Sequence, residues 1–250
     1  MYTDVLAQKY CCICDQEVES FLPYSRNQQV FTAELKVIGS DANNFYCPKC
    51  HCSDRERHIW LFIKEIGLYD AINNDKILYF APEKRLSEKF LAKTKNIIGG
   101  DINPENYRDH TLTVQSINIE NIPFEDETFD LVIANHVLEH VGDYIKALHE
   151  IKRVLQFGGN AILQTPFSSI MYNNFEDPLL NTDELRLKYY GQEDHLRVFG
   201  LRIFDDLIST GLKVYKLSHD QILKSYDYKR YGVNQLEDLI FVSKSLLEKK

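Results

Sequence analysis

A chain of 250 residues suits one large domain or a domain with a small appendage, and 44% apolar against 26% charged residues is ordinary globular composition. Disorder, collagen-like repeats and low complexity are excluded, and no apolar run reaches the roughly 18 residues that a membrane-spanning helix needs. Twenty-nine basic against 37 acidic residues leave a net charge of −8, which disfavours a nucleic-acid partner.

The start, MYTDVLAQKYCC, has neither a basic n-region nor an apolar h-region, so a cytoplasmic chain without membrane insertion is the expectation. All six cysteines then fall within residues 11–52. Cys11 and Cys14 form one C-x-x-C, and Cys47 and Cys50 form a second after a gap of 32 residues. Each pair can set two thiolates on one tight turn, and two such turns close a tetrahedral site, so a structural Zn2+ held by Cys11, Cys14, Cys47 and Cys50 is expected. Four thiolates leave no open position for catalysis. Disulfides are the competing reading, and a reducing compartment argues against them. Cys12, Cys52, His51 and His58 are the alternative ligands. Between the pairs, residues 21–24 (FLPY) and 30–38 (VFTAELKVI) have the β-branched and aromatic content of short strands. Residues 1–53 thus read as a zinc-ribbon-like segment and 54–250 as the main domain.

Ser53 or Asp54 can cap a helix running to about Leu68, with Gly67 near its end. Strands are predicted at 76–80, 96–100, 112–116, 129–134 and 160–165, with a helix over 144–156 that Gly158 and Gly159 would stop. Alternating strands and helices mean parallel strands with crossover connections, hence a doubly wound α/β sheet that binds ligands at its strand ends. Asp101 ends the second strand, 20 residues after Ala81 ends the first. That is the spacing at which a nucleoside-binding sheet offers a carboxylate to ribose hydroxyls, although a helix cap or turn explains a lone Asp equally well.

Residues 118–141, from Asn118 through I-P-F (Ile122–Phe124) and F-D-L-V (Phe129–Val132) to H-V-L-E-H-V (His136–Val141), resemble the core of the class I S-adenosylmethionine-dependent methyltransferases of the methyltransferase type 11 kind. C-P-x-C followed by R-x-R and Trp (Cys47 to Trp60), APE (Ala81–Glu83), EDP (Glu176–Pro178) and GQEDHLRVFG (Gly191–Gly200) narrow the likeness to a bacterial group with N-terminal zinc-ribbon-like cysteines. The resemblance implies a Rossmann-like seven-stranded sheet and S-adenosyl-L-methionine as cofactor. By position it implies that Asp101 holds the ribose, that Asn118 accepts from the adenine amino group, that the Ile119 amide faces the ring, and that Asn135 and His136 lie beside the transferred methyl. The glycine loop usual after the first strand is missing: Tyr79-Phe80-Ala81-Pro82-Glu83 stands there. Ala81 still permits close approach, and Glu83 can receive the methionine ammonium.

Alignment of the reactants is the main catalytic need, with a base as an addition for a hydroxyl acceptor. His195 and His136 are the candidates. H-x-x-x-H over His136 and His140 does not indicate a metal pair, being widespread in the resembled superfamily as a structural helix start, and His195 has a packing residue as its competing reading. Residues 166–199 are too long for a plain loop and form a lid or substrate cap, with a short helix near 182–190 capped by Asn181 and Glu184. A helix over 201–209 and strands near 212–217 and 239–243 follow, then a solvated tail. The expected activity is methyl transfer to oxygen or nitrogen of a small-molecule, sugar or peptide acceptor, a biosynthetic intermediate among them. An RNA-base methyltransferase and a non-catalytic scaffold that recruits a protein partner are the alternatives. Nothing in the chain names the acceptor or the oligomeric state.

Overall fold

The computed structural model of the chain describes residues 8–24 and 30–245. The terminal tail lies outside them. Seven strands form one sheet: β1 (Ile77–Phe80), β2 (Ile97–Asp101), β3 (Val114–Ser116), β4 (Phe129–Ala134), β5 (Leu155–Ile162), β6 (Lys213–Leu217) and β7 (Leu239–Ser243). Their order across the sheet is β6-β7-β5-β4-β1-β2-β3. β1 to β5 pair in parallel, and β7 pairs antiparallel with both β5 and β6. This is the doubly wound Rossmann-like sheet expected. β1 lies between β2 and β4, so the chain turns from one side of the sheet to the other there, and the crevice at the strand ends opens at this switch.

The period of two along each strand divides the core between two faces. Ile77 and Tyr79 of β1 and Leu131 and Ile133 of β4 join one cluster, which includes Ile59, Phe62 and Ile63 of helix α1 (Asp54–Glu65) and Leu86 and Phe90 of helix α2 (Lys84–Leu91). Leu78, Phe80, Val132 and Ala134 join the other, against Leu148 and Ile151 of helix α3 (Tyr144–Val154). The first cluster also contains Cys11, Val18 and Phe21, so the cysteine-rich segment shares a core with the sheet.

α1 starts where the sequence predicts, at a capping box in which Ser53 Oγ accepts from the Glu56 amide and the Glu56 carboxylate accepts from the Ser53 amide. It stops at Glu65, with Gly67 at φ 73° behind it. β5 differs more. It begins at Leu155 directly after α3, and the glycine pair lies inside it at a register shift against β4. A Cβ at Gly159 would meet the Gln156 carbonyl oxygen at 2.9 Å, so this glycine serves a strand bulge and not a helix stop. Residues 30–34 are helical, in keeping with Ala33 and Glu34 as helix formers, and only Val37–Ile38 is a strand, antiparallel to Phe167–Ser168. In FLPY, Leu22 makes a single bridge to Tyr46. The helix in the 166–199 connection is α4 (Asp183–Tyr190), capped by Thr182, one residue beyond the expected Asn181. Helix α5 (Arg202–Ser209) packs Ile203 and Leu207 into the second cluster. Among the described residues no helix is long and apolar enough to cross a membrane.

Candidate functional site

At the ends of β1, β2 and β4 lies a crevice of about 510 Å3, lined by Ala81, Asp101, Asn118, Ile119, His136 and His140 among others. Ala81 sits at φ 43° and its amide donates to the Gly100 carbonyl at 2.9 Å. An alanine thus takes the left-handed conformation that usually favours glycine, and its amide continues the pairing of β1 with β2 by one residue. His136, after β4, is also left-handed at φ 53°, its amide donating to the Gln164 carbonyl at 2.7 Å.

The Asp101 carboxylate is fixed in place: Oδ1 accepts from the Asn103 amide at 2.7 Å and Oδ2 from the Tyr107 hydroxyl at 2.8 Å. A carboxylate has about four lone-pair sites, so roughly two remain for a ligand. Asn118 Oδ1 accepts from the Glu120 amide at 2.8 Å, and Ile119 is buried beside it. Glu83 and Asn135 take a different place. Asn135 Nδ2 and the Tyr79 hydroxyl both donate to the Glu83 carboxylate, burial raises its pKa, and neither Glu83 nor Asn135 is among the crevice-lining residues.

A second cavity, of about 200 Å3, adjoins the first. Tyr24, Gly39, Arg55, Pro166, Tyr190 and His195 contribute to its wall, and so does His136, which therefore borders both cavities. His136 Nδ1 faces Glu139 Oε1 at 3.3 Å and Nε2 faces Glu237 Oε1 at 3.4 Å, all three side chains being buried. Burial and the Arg55 charge oppose protonation of this ring, but the two carboxylates outweigh them and hold its pKa above the ordinary value. His195 Nδ1 lies 3.1 Å from the Tyr190 carbonyl, and burial pushes its pKa down to about 4. Its ring is therefore neutral at physiological pH.

Two buried arginines hold the scaffold. Arg197, from the GQEDHLRVFG stretch, donates to the carbonyls of Leu138, Val141 and Gly142 and pairs with Glu176 of the EDP element at 2.7 Å. The two elements thus fasten the cap to the turn after β4. Arg57, from R-x-R, donates to the carbonyls of Asn44, Phe45, Cys52, Tyr231 and Gly232 and lies over the Phe21 ring at 3.9 Å. It joins the cysteine segment to the C-terminal part of the chain.

The ligand atoms of Cys11, Cys14, Cys47 and Cys50 all lie within 4.8 Å of one another. The Sγ atoms of Cys11 and Cys50 are 3.8 Å apart and those of Cys14 and Cys47 3.9 Å. A tetrahedral thiolate site with bonds of about 2.3 Å has edges of about 3.8 Å, so the donor set fits zinc. Cys12 Sγ turns to the Arg57 carbonyl at 3.6 Å, and Cys52 Sγ, 3.4 Å from Cys11, meets Arg57 Nη1. His51 is exposed, and His58 Nε2 lies 3.2 Å from His219 Nδ1.

Comparison with known proteins adds the family. A family model described as a methyltransferase domain matches residues 83–163. The chain is 27% identical over 97 residues to the uncharacterised methyltransferase YcgJ of Bacillus subtilis, 39% of this chain and 36% of that protein. It is 32% identical over 79 residues to a sarcosine/dimethylglycine N-methyltransferase of Halorhodospira halochloris, 32% of this chain and 28% of that one. The chain spans about a third of the length of the curated relatives it matches. The crystal structure of YcgJ superposes with a TM-score of 0.50 over 76% of this chain and 99% of that one, at 18% identity, which shows a common fold. The methyltransferase domain implies S-adenosylmethionine as cofactor.

Several residues of the site escape sequence reasoning. Gly39 reaches the second cavity from the N-terminal part of the chain, and Glu237 reaches His136 from a loop 101 residues away, with no local motif to mark them; Arg55 stands in R-x-R, which does not reveal its place in the cavity wall. Glu139 stands inside H-V-L-E-H-V, which folds only as a short turn over Leu138–His140 before α3 begins.

Proposed function

We propose that the chain is an S-adenosylmethionine-dependent methyltransferase acting on oxygen or nitrogen of a small-molecule, sugar or peptide acceptor. The observation that carries this reading is that His136 borders both cavities, so a cofactor in the larger one and an acceptor in the smaller one would meet at a single wall. The larger volume suits a nucleoside with an amino-acid tail. Asp101 is assigned to the ribose hydroxyls, Asn118 and Ile119 to the adenine edge, and Ala81 to the methionine end. Glu83 is proposed for the methionine ammonium and Asn135 for the flank of the transferred methyl, roles that require their mutual hydrogen bond to open toward the crevice, whose lining they do not join. When bound, the cofactor supplies an electrophilic methyl on a sulfonium sulfur. The protein's part is then to align the acceptor and handle its proton, which falls to His136 and His195.

The tetrathiolate is proposed to hold a structural Zn2+, supported by the match of its Sγ spacings to a tetrahedron. Residues 1–53 would then be a zinc-ribbon-like segment that also walls the acceptor cavity, residues 54–250 the catalytic domain, and residues 166–199 its cap. Reduced thiols go with a cytoplasmic setting. Calorimetry with S-adenosylmethionine, followed by transfer of a labelled methyl to a panel of hydroxyl and amine acceptors, tests the reading. Saturable binding and label transfer are expected; no heat at millimolar cofactor from folded protein would leave the scaffold reading instead.

A further inference from the structure

A second group of metal-ligating side chains converges where the two cavities meet. Glu139, His140 and His195 each bring a ligand atom within 4.8 Å of the other two. Glu139 is 1% exposed and His195 6% exposed. With Nδ1 of His195 donating to the Tyr190 carbonyl, Nε2 carries the lone pair, and it is buried without a hydrogen-bond partner among the described residues. Glu139 is half engaged: Oε2 accepts from the Thr165 hydroxyl at 2.9 Å, while Oε1, which faces His136, makes no hydrogen bond among the described residues. Buried polar atoms are nearly always satisfied, so the orphaned His195 Nε2 calls for an occupant, while Glu139 Oε1 is shared with the His136 ring at 3.3 Å. His140 Nδ1 lies 3.3 Å from Asp194 Oδ2. Each of the three thus has an orienting partner, a carbonyl, a hydroxyl and a carboxylate, as ligands of a metal have in their outer shell.

We propose that Glu139, His140 and His195 bind a divalent transition-metal ion at the junction of the cofactor crevice and the acceptor cavity. Two imidazoles and one carboxylate suit zinc, iron, nickel or copper, and three protein ligands leave open positions. Bonds of about 2.1 Å allow ligand atoms at most about 4.2 Å apart, so the cluster needs to close by less than an ångström to hold the ion. The Leu196 amide already donates to the Glu139 carbonyl at 2.9 Å, holding the cap against the turn that carries the other two ligands.

The placement gives the ion a task, and this part rests on the methyl-transfer reading above. His140 and Asp194 line the crevice, and His195 lines the acceptor cavity. An acceptor hydroxyl bound at an open position loses its proton to solvent at lower pH than a free one, which replaces the proton role given above to His195, here a ligand. Its oxygen then donates an electron pair to the methyl carbon as the carbon–sulfur bond breaks, and the sulfur leaves with that bond's pair as a neutral thioether. The acceptor class narrows to a hydroxyl compound that binds metal through oxygen.

The test is titration of the metal-stripped full chain with Co2+. Two equivalents are expected: one with the intense charge-transfer absorption of thiolate-bound cobalt, and one with only weak visible bands. His140→Gln and His195→Gln should each weaken the second at least tenfold and leave the first intact, and Cys47→Ser should do the reverse. Asp194→Asn, on an exposed side chain, should weaken the second about tenfold without endangering the fold. A single, thiolate-type equivalent, or a second one unaltered in all three of these crevice variants, overturns the proposal. Calorimetry with S-adenosylmethionine on the same samples separates the two readings. Cofactor binding without the second ion removes only the metal site, whereas the second ion without cofactor binding removes the methyl-transfer reading.

Discussion

Replacing Asp101 by Asn is the sharpest perturbation of the crevice, because it preserves shape and the turn while removing charge. Oδ1 can still accept from the Asn103 amide, as it does now at 2.7 Å. The oxygen that accepts from the Tyr107 hydroxyl becomes an amide nitrogen, so that contact and one lone-pair direction toward the ribose are lost together. Of the roughly two ligand hydrogen bonds open to the carboxylate, one disappears and the other falls from a charge-assisted bond of about 1.5–3 kcal/mol to a neutral one of about 0.5–1.5 kcal/mol. The sum is a loss of about 2–4 kcal/mol, or roughly 30- to 1000-fold in Kd. Tyr107→Phe is the control: it frees a lone pair without changing the charge, so the ligand keeps its hydrogen bonds to the carboxylate and an effect below about fivefold is expected. Isothermal calorimetry with S-adenosylmethionine reads both, with thermal unfolding confirming that each variant is folded. A folded Asp101→Asn protein that binds the cofactor within threefold of wild type would refute the assignment of this carboxylate to the ribose.

Three further predictions address the scaffold and the second cavity. Arg197→Met strips donors from three buried carbonyls and should lower unfolding stability by about 3–5 kcal/mol in urea, a loss under 1 kcal/mol showing that the cap is held otherwise. A Cβ at Gly39 would stand 3.2 Å from Pro166 Cβ and 3.8 Å from His136 Cε1. Gly39→Val should therefore obstruct the acceptor cavity, lowering kcat/KM for the acceptor at least tenfold with cofactor affinity unchanged; full activity would place the acceptor elsewhere. Asp54, 1% exposed, has its pKa pushed up from 3.8 to about 7 by burial and then by Glu237. Its folded value lies above the unfolded one, so the stability it contributes is full below about pH 4 and is lost as pH rises through 7. Asp54→Asn keeps an acceptor for the Asp41 amide and should remove this decline, gaining on the order of 1–3 kcal/mol over wild type at pH 8 but not at pH 4. Parallel pH profiles of the two proteins would contradict it.

The sheet was legible wherever an apolar run was bounded by turn residues, as in Phe129–Ala134 and Leu239–Ser243, whose limits agree with the predicted ones. It was misread at Gly158 and Gly159, because glycines that stop a helix and glycines that bulge a strand look alike until the partner strand is known. Cysteine spacing is local and readable: the four sulfurs it pointed to lie together, with Cys52 as a fifth 3.4 Å from Cys11. Burial of charge is neither: Arg57 and Arg197 are 0% and 1% exposed, and their carbonyl partners come from distant segments. The acceptor cavity was hidden for the same reason. Its walls are joined by the pairing of Val37–Ile38 with Phe167–Ser168, a contact across 130 residues that no sequence window contains.

A crystal structure with S-adenosylhomocysteine at saturating concentration examines the whole assignment at once. Adenine against Ile119, both ribose hydroxyls on Asp101 and the sulfur turned toward His136 at the mouth of the second cavity are the predicted result. Density for the nucleoside elsewhere, or a crevice closed by the Pro82 corner with no ligand in it, would contradict the account.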